Sequence, residues 1–354
     1  MRRLEIIGKG AVRWTDVPAP ALAGDGEALV RPLAVAMCDL DAAWLAGMIP
    51  FQDPFPLGHE CIAEVLEVGD AVRGTRPGDI VVVPFQISCG ACEACVAGRT
   101  GNCRSVPRGS AYGMQPLGGA WGGALADVLR VPYADAMLVP LAAGLQPAAV
   151  ASVADNVPDG YRAVAAPLAA APGAEVLVVG GFARSVGLYA VACAKALGAA
   201  RVVYADTDAG RLERAAALGA EPVEAGEPKL GRFPVTVDAS GRHDGLHAAL
   251  RSTAADGVCT SVAIYFEPAT PVPLLEMYTR GCTLHTGRCH ARALIPEVLA
   301  LIGDGRLDPA LVTSAVVGFD DAEAALAELP TKLVLVASEP VEAIRQNVDS
   351  STNS

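Results

Sequence analysis

At 354 residues the chain is longer than one hydrophobic core usually organises, so two domains are expected. Hydrophobic residues make up 52% and charged residues 19%, a balance that excludes intrinsic disorder. A formal charge of −12, with no Lys/Arg block to offset it, opposes nucleic acid or an anionic membrane as a partner and leaves a small molecule.

The first residues, MRRLEIIGKGAVRW, break any apolar stretch at Glu5 and Lys9, unlike a signal peptide. No apolar run long enough to span a membrane follows. Ten cysteines in such a chain are expected to stay reduced, which points to the cytoplasm and to thiolates available for metal.

Up to residue 150 the sequence reads as short β-like runs (28–35, 61–68, 80–84, 125–131) punctuated by Gly and Pro, as in an antiparallel barrel-like domain. After Pro172 the pattern changes. Apolar runs at 175–179, 201–206, 234–239 and 258–265 alternate with helical segments. One of these carries Val186, Tyr189, Ala190, Cys193, Ala194 and Leu197 on one face, so a doubly wound parallel sheet is expected here. The chain closes with a helix at 293–302, a strand at 332–337 and a polar tail, QNVDSSTNS.

Cys89, Cys92 and Cys95 stand in CGACEAC, and Cys103 follows eight residues later. Two-residue gaps let a tight loop turn successive thiolates inward, with Gly90, Gly98 and Gly101 supplying backbone freedom. Four thiolates leave no position for water, so a zinc ion here is expected to be structural. A second set is dispersed: Cys38 in AMCDLD, His59 and Glu60 in PLGHE, and Asp155 in VADNVP. Taken singly, each is more often a packing residue. Together, one thiolate, one imidazole and carboxylates suit a catalytic zinc that keeps a position open.

These motifs, with GGALADVLRVP and a strand–Gly-loop–helix unit after them, resemble the zinc-dependent medium-chain alcohol dehydrogenase family over nearly the whole chain. The resemblance implies a GroES-like barrel catalytic domain (1–152 and 288–354) with an inserted Rossmann domain (153–287). It implies that Cys38, His59 and Asp155 hold a catalytic zinc, that Glu60 exchanges with substrate or water, and that Asp41 orients the histidine. Cys89, Cys92, Cys95 and Cys103 match the structural zinc site, giving two zinc ions per chain. The implied reaction passes a hydride between an alcohol, or its aldehyde or ketone, and NAD, in a homodimer or homotetramer.

The loop GGFARSVG, between strand and helix, is the expected pyrophosphate seat. Gly180 and Gly181 permit the turn, Gly187 a close helix–strand approach, and Arg184, Ser185 and Val186 begin the helix. The loop departs from G-x-G-x-x-G by about two extra residues. Asp206, about 25 residues beyond the loop, is placed to accept from the ribose hydroxyls and to repel a 2′-phosphate, favouring NAD over NADP. Arg211 borders the same ribose and softens that preference.

Departures from the family pattern are Leu40 where a hydroxyl relays the alcohol proton, Pro158-Asp159 where Pro-Thr is usual, and Arg162 after Tyr161, where histidine is common. Asp39 joins water and the ribose as a candidate proton acceptor. Two alternatives stay open: a non-catalytic relative that keeps its metals as fold elements, and a dehydrogenase turned to an unusual polar substrate through Asp39, Asp159 or Arg162. Cys61, Cys193, Cys259, Cys282 and Cys289 read as core thiols, and His243 and His247 as a solvated helix face. His285, Arg288 and His290 mark the return to the catalytic domain, with Arg288 near the cofactor. Trp44, Trp121 and the 51–55 stretch line either a substrate slot or the core.

Overall fold

The computed structural model describes residues 1–51, 54–114, 118–227 and 229–337; the polar tail and part of the 51–55 stretch lie outside them. Six strands form one fully parallel sheet, in the order Glu221–Glu224, Val202–Asp206, Val176–Val179, Phe233–Asp238, Thr253–Ser261, Thr283–Thr286. Numbered along the chain this is 3-2-1-4-5-6, the doubly wound order. Its direction reverses between Val176–Val179 and Phe233–Asp238, where a crevice opens beyond the strand ends. Val176–Val179 is buried along its whole length, as a strand covered on both faces must be.

A second sheet is mixed. Ala28–Ala36 pairs antiparallel with Glu60–Val68, which pairs with Ile80–Val83, which in turn pairs with Val139–Pro140. The chain returns from the parallel sheet to lay Leu333–Val336 antiparallel against Ala28–Ala36, with Leu335 opposite Val35. A small antiparallel sheet of Arg2–Gly8, Ala11–Asp16 and Phe55–Pro56 closes this part. One buried cluster runs through both sheets, joining Ala34, Ile62 and Val334 to Val157, Tyr189 and Val237.

Most expected elements form within a residue or two of the sequence reading. Strand 125–131 does not: only Leu129–Val131 is strand. Ala124 and Leu125 instead donate their N–H groups to Gly58 and Leu57 carbonyls at 2.7 and 3.1 Å, bracing the turn before His59. The run at 258–265 ends early, at Ser261, and its last residues turn out to line a cavity. Helix Asn156–Ala170 carries helix-disfavouring Pro158, Gly160 and Pro167, yet it buries Val157, Gly160, Val164 and Leu168 at three- and four-residue spacing. It packs against helix Arg184–Ala196 so closely that a Cβ on Gly160 would stand 2.7 Å from the Ala190 nitrogen. That approach seats the start of the helix, Asp155 and Asn156, beside the glycine loop.

Candidate metal centres and cofactor crevice

The four cysteines of the exposed loop converge, with their sulfurs mutually within 4.8 Å. Cys92 caps the short helix Glu93–Val96, which carries Cys95, and Cys103 follows the turn Thr100–Asn102. Gly90 and Gly98 hold φ of +72° and +73°, as such a knot requires. Gly101 is needed for space instead, since a Cβ there would lie 2.4 Å from Gln86 Nε2. Donors face the sulfurs: Cys89 N to Cys103 Sγ (3.4 Å), Arg104 N to Cys92 Sγ (3.3 Å) and Ser105 Oγ to Cys89 Sγ (3.1 Å). The Arg104 N–H, followed by that of Cys95, lowers the Cys92 thiol to about 6. No described cysteine is in a disulfide, and this donor set suits a tetrahedral zinc.

The dispersed set also meets. Ligand atoms of Cys38, His59, Glu60 and Asp155 all lie within 4.8 Å of one another. Cys38 ends the turn after Ala28–Ala36 and caps helix Asp39–Leu45. Register in the mixed sheet sets Ala36 opposite Glu60, which brings the GHE turn alongside. Gly58, at φ +91° with a Cβ position 2.9 Å from the Leu125 nitrogen, admits only glycine. Asp155 enters from the far side, its Oδ2 3.5 Å from His59 Nε2. Asp41 Oδ1 stands 3.6 Å from His59 Nδ1, and its other oxygen accepts from Cys38 N at 2.8 Å.

His59 is fully buried, yet both its ring nitrogens lack a hydrogen-bond partner among the described residues, as does Glu60 Oε2. Orphaned buried atoms of this kind are rare and call for a ligand. Burial opposes a proton on His59, but Asp41 and then Asp155 outweigh it and raise the ring to about 9. The surroundings therefore favour a cation, and one thiolate, one imidazole and carboxylates fit zinc. This centre opens on a cavity of about 810 Å³, lined by Cys38, Asp155, Asp159, Val186, Val262 and Arg288 among others.

The cofactor crevice lies beside it. Val176–Val179 leads through Gly180 and Gly181 into helix Arg184–Ala196. A Cβ on Gly180 would meet Tyr204 Oη and Asp206 Oδ2 at 2.3 Å, and one on Gly187 would lie 3.1 Å from Ala239 Cβ. Both glycines therefore allow close approach. Ser185 and Val186 present their N–H groups at the helix start, where they meet Asp39. A recess of about 510 Å³ follows, lined by Gly181, Arg184, Asp208 and Arg211. Two recesses flanking a glycine turn and a helix N-terminus fit a dinucleotide.

Asp206 differs from its expected state. Its carboxylate accepts from Tyr204 Oη (2.7 Å), Thr207 N, Asp208 N and the Arg211 guanidinium (2.7 Å at Nε and at Nη2), and it is 1% exposed. Neither oxygen stands free for a ribose hydroxyl, because Arg211 is pinned across it. Although burial opposes the shift, Arg211 and Tyr204 hold the Asp206 carboxyl below its usual range.

Comparison with known proteins agrees with this geometry. Residues 24–141 match the family model "Alcohol dehydrogenase GroES-like domain", and residues 185–304 match "Zinc-binding dehydrogenase". A Mycobacterium tuberculosis protein named "Probable zinc-binding alcohol dehydrogenase" is 33% identical over 91% of this chain and 83% of its own length. The chain belongs to the zinc-dependent medium-chain dehydrogenase/reductase family. Alcohol dehydrogenase TADH from Thermus sp. ATN1 superposes with a TM-score of 0.88 at 30% identity, over 96% of this chain and 100% of that one. Acetophenone reductase from Geotrichum candidum, solved with NAD, shares the fold at a TM-score of 0.80 and 22% identity, over 95% of this chain and 96% of that one. The protein is an NAD(P)-dependent zinc dehydrogenase of small-molecule alcohols or carbonyls, and the non-catalytic alternative is not favoured. Among the described residues, no helix is long and apolar enough to cross a membrane.

Sequence reasoning missed two residues of the dehydrogenase's centre. Lys332, fully buried, donates to Glu60 Oε1 at 2.6 Å and to the Met37 carbonyl at 3.0 Å. Removing one partner of such a pair typically costs about 3–5 kcal/mol. Asn156 links Cys38 Sγ, 3.3 Å from its Oδ1, to Ser185 Oγ, 2.8 Å from its Nδ2. Lysine in a strand and asparagine at a helix start are ordinary in sequence, so neither carried a signal.

Other expectations resolve case by case. Arg162 Nε donates to Asp159 at 2.5 Å and its Nη2 to the Gly287 carbonyl at 2.7 Å, locking both side chains at the cavity wall. Tyr161 donates to Glu297 at 2.7 Å. His290 Nδ1 accepts from Gly101 N at 3.1 Å, tying the cysteine loop to the returning chain. His243 and His247 do not form a metal pair: one meets Glu267 and the other the Pro271 carbonyl. Cys61, Cys193, Cys259 and Cys289 are buried, Cys289 against the cavity, whereas Cys282 is only half-buried. Trp44 is both core and cavity wall.

Proposed function

We propose that the enzyme holds two zinc ions and interconverts an alcohol with its aldehyde or ketone using NAD. The carrying observation is the meeting of Cys38, His59, Glu60 and Asp155, with His59 unsatisfied at both nitrogens, where Cys38 and Asp155 line the 810 Å³ cavity. When bound, the metal supplies Lewis acidity to the substrate oxygen and the nicotinamide supplies the redox partner. Cys38, His59 and Asp155 are the proposed holders of that metal. Lys332 keeps one Glu60 oxygen engaged, leaving Oε2 as the exchangeable one. Asp41 orients the His59 ring. The loop cysteines Cys89, Cys92, Cys95 and Cys103 hold the structural ion.

Leu40 has no proton to relay. We assign proton acceptance to Asp159, a cavity carboxyl that burial pushes up to about 6 against the pull of Arg162. Arg184, Ser185, Val186 and Gly187, with Gly180 and Gly181, form the proposed phosphate end, and Asp206 and Arg211 the adenosine end. Asp206 and Asp208 both pair with Arg211, so its guanidinium is not free to receive a 2′-phosphate.

The proposed domains are 1–152 with 288–354, and 153–287; the latter contains all six parallel strands. A homodimer or homotetramer is supported by Leu274, Leu275 and Tyr278, exposed at 67%, 76% and 83% beside the sheet's edge strand. Unpaired cysteines support a cytoplasmic setting. The expected result with zinc-loaded protein is NADH formation from an alcohol panel, with NADH bound at least about tenfold more tightly than NADPH by fluorescence titration. Tighter NADPH binding would refute the cofactor assignment. A protein that binds neither and is inert toward every alcohol would refute the catalytic one.

A further inference from the structure

The N-terminus of helix Arg184–Ala196 is already filled by the protein itself. Asp39, from the turn beside Cys38, points its carboxylate at the first turn of that helix. Its Oδ2 accepts from Ser185 N at 3.0 Å, Ser185 Oγ at 3.0 Å and Val186 N at 3.5 Å, while Oδ1 stands 3.3 Å from Ser185 N. Asp39 is 8% exposed and Ser185 fully buried. The arrangement is a closed ring. Asn156 bonds Ser185 Oγ with its amide nitrogen and faces Cys38 Sγ with its oxygen, and Cys38 adjoins Asp39 in the chain. Free N–H groups and the dipole at a helix start favour one anion. Here that anion is an aspartate from 146 residues away.

We propose that Asp39 is a built-in competitor for the dinucleotide's pyrophosphate and sets the enzyme's cofactor affinity. The inference rests on the nicotinamide reading above. A pyrophosphate and a carboxylate require the same Ser185 and Val186 donors, and the two anions repel at such short range. Binding the dinucleotide therefore swings Asp39 off the helix and breaks a bridge between the metal-bearing turn and the cofactor sheet. Arg184, the first residue of the helix, lines the 510 Å³ recess and has no ion-pair partner among the described residues. It is the cation left to receive the phosphates. Arg211 in the same recess is neutralised by Asp206. Cofactor entry thus exchanges an internal anion for an external one, and its affinity is the difference between the two.

The test compares wild type with Asp39→Asn, which keeps an acceptor for Ser185 N and removes the charge. Calorimetric titration uses three probes: NADH, ADP-ribose, which carries the pyrophosphate, and adenosine, which does not. The expected result is that NADH and ADP-ribose bind about tenfold more tightly to Asp39→Asn while adenosine is unchanged. Asp39→Ala repeats the comparison, and circular dichroism confirms the fold of each variant. Wild type that binds NADH while Asp39→Asn binds it equally or less tightly overturns the proposal and leaves the nicotinamide reading standing. Equal gains for adenosine overturn it as well, since they would reflect a general loosening of the crevice. If neither protein binds NADH, NADPH or ADP-ribose, both the proposal and the nicotinamide reading fall.

Discussion

Asp155→Ala is expected to purify folded with one zinc ion per chain instead of two, and with dehydrogenase activity reduced by on the order of 10³-fold or more. The physical reason is the small number of anchors. Asp155 Oδ2 stands 3.5 Å from His59 Nε2 and, among the described residues of the cluster, is the proposed ligand that arrives from the helix side of the centre. Without it Cys38 and His59 remain, and Glu60 has one oxygen committed to Lys332. Metal analysis with an alcohol-dependent rate checks this. Two zinc ions per chain with an unchanged rate would contradict the role given to Asp155.

Cys103→Ser is expected to lose the other ion and to lower stability by several kcal/mol, roughly 10 °C in melting temperature. Cys103 Sγ lies 3.9 Å from Cys92 Sγ and accepts the Cys89 N–H, so it closes the loop from its far end. The consequence reaches the cavity. The loop's Gly101 N–H donates to His290, and Gln86, which Gly101 packs against, donates to the Cys289 carbonyl at 2.8 Å. Cys289 and Arg288 line the cavity, so a loosened loop is expected to lower kcat/KM even with the inner metal retained. Differential scanning calorimetry with metal analysis is the measurement. A variant that keeps two ions and its melting temperature would contradict a structural role.

Much of this was legible in the residues themselves. Thiolates at two-residue gaps carry their chemistry in sequence, and the four loop cysteines converge as their spacing implies. The dispersed set was legible as a candidate site only through resemblance, because nothing local ties Cys38 to Asp155 across more than a hundred residues. The parallel sheet was legible from its central strands, which are buried along their length, as in VLVV, whereas the edge strands Glu221–Glu224 and Thr283–Thr286 are polar and carried no such signal. Helix Asn156–Ala170 was not, since Pro158 and Pro167 interrupt its helix propensity and Gly160 serves close packing against Ala190. Illegible too were the partners of charged groups. Lys332 reads as a strand start and proves to be the counter-ion of Glu60. Asp206 reads as a ribose acceptor and proves to be saturated by Arg211 and Tyr204. Asp39 reads as a neighbour of a zinc ligand and proves to cap a distant helix. Each pairing is a tertiary fact, set by which groups the fold brings together.

The central claim is that Cys38, His59 and Asp155 hold a metal at the mouth of the cofactor crevice. Diffraction from crystals of the zinc-loaded protein, recorded on either side of the zinc absorption edge, tests it most directly. Two anomalous peaks per chain are expected, one among the four loop sulfurs and one between Cys38 Sγ, His59 Nε2 and the Asp155 carboxylate. A single peak in the cysteine loop, with His59 hydrogen-bonded to protein alone, would contradict the account.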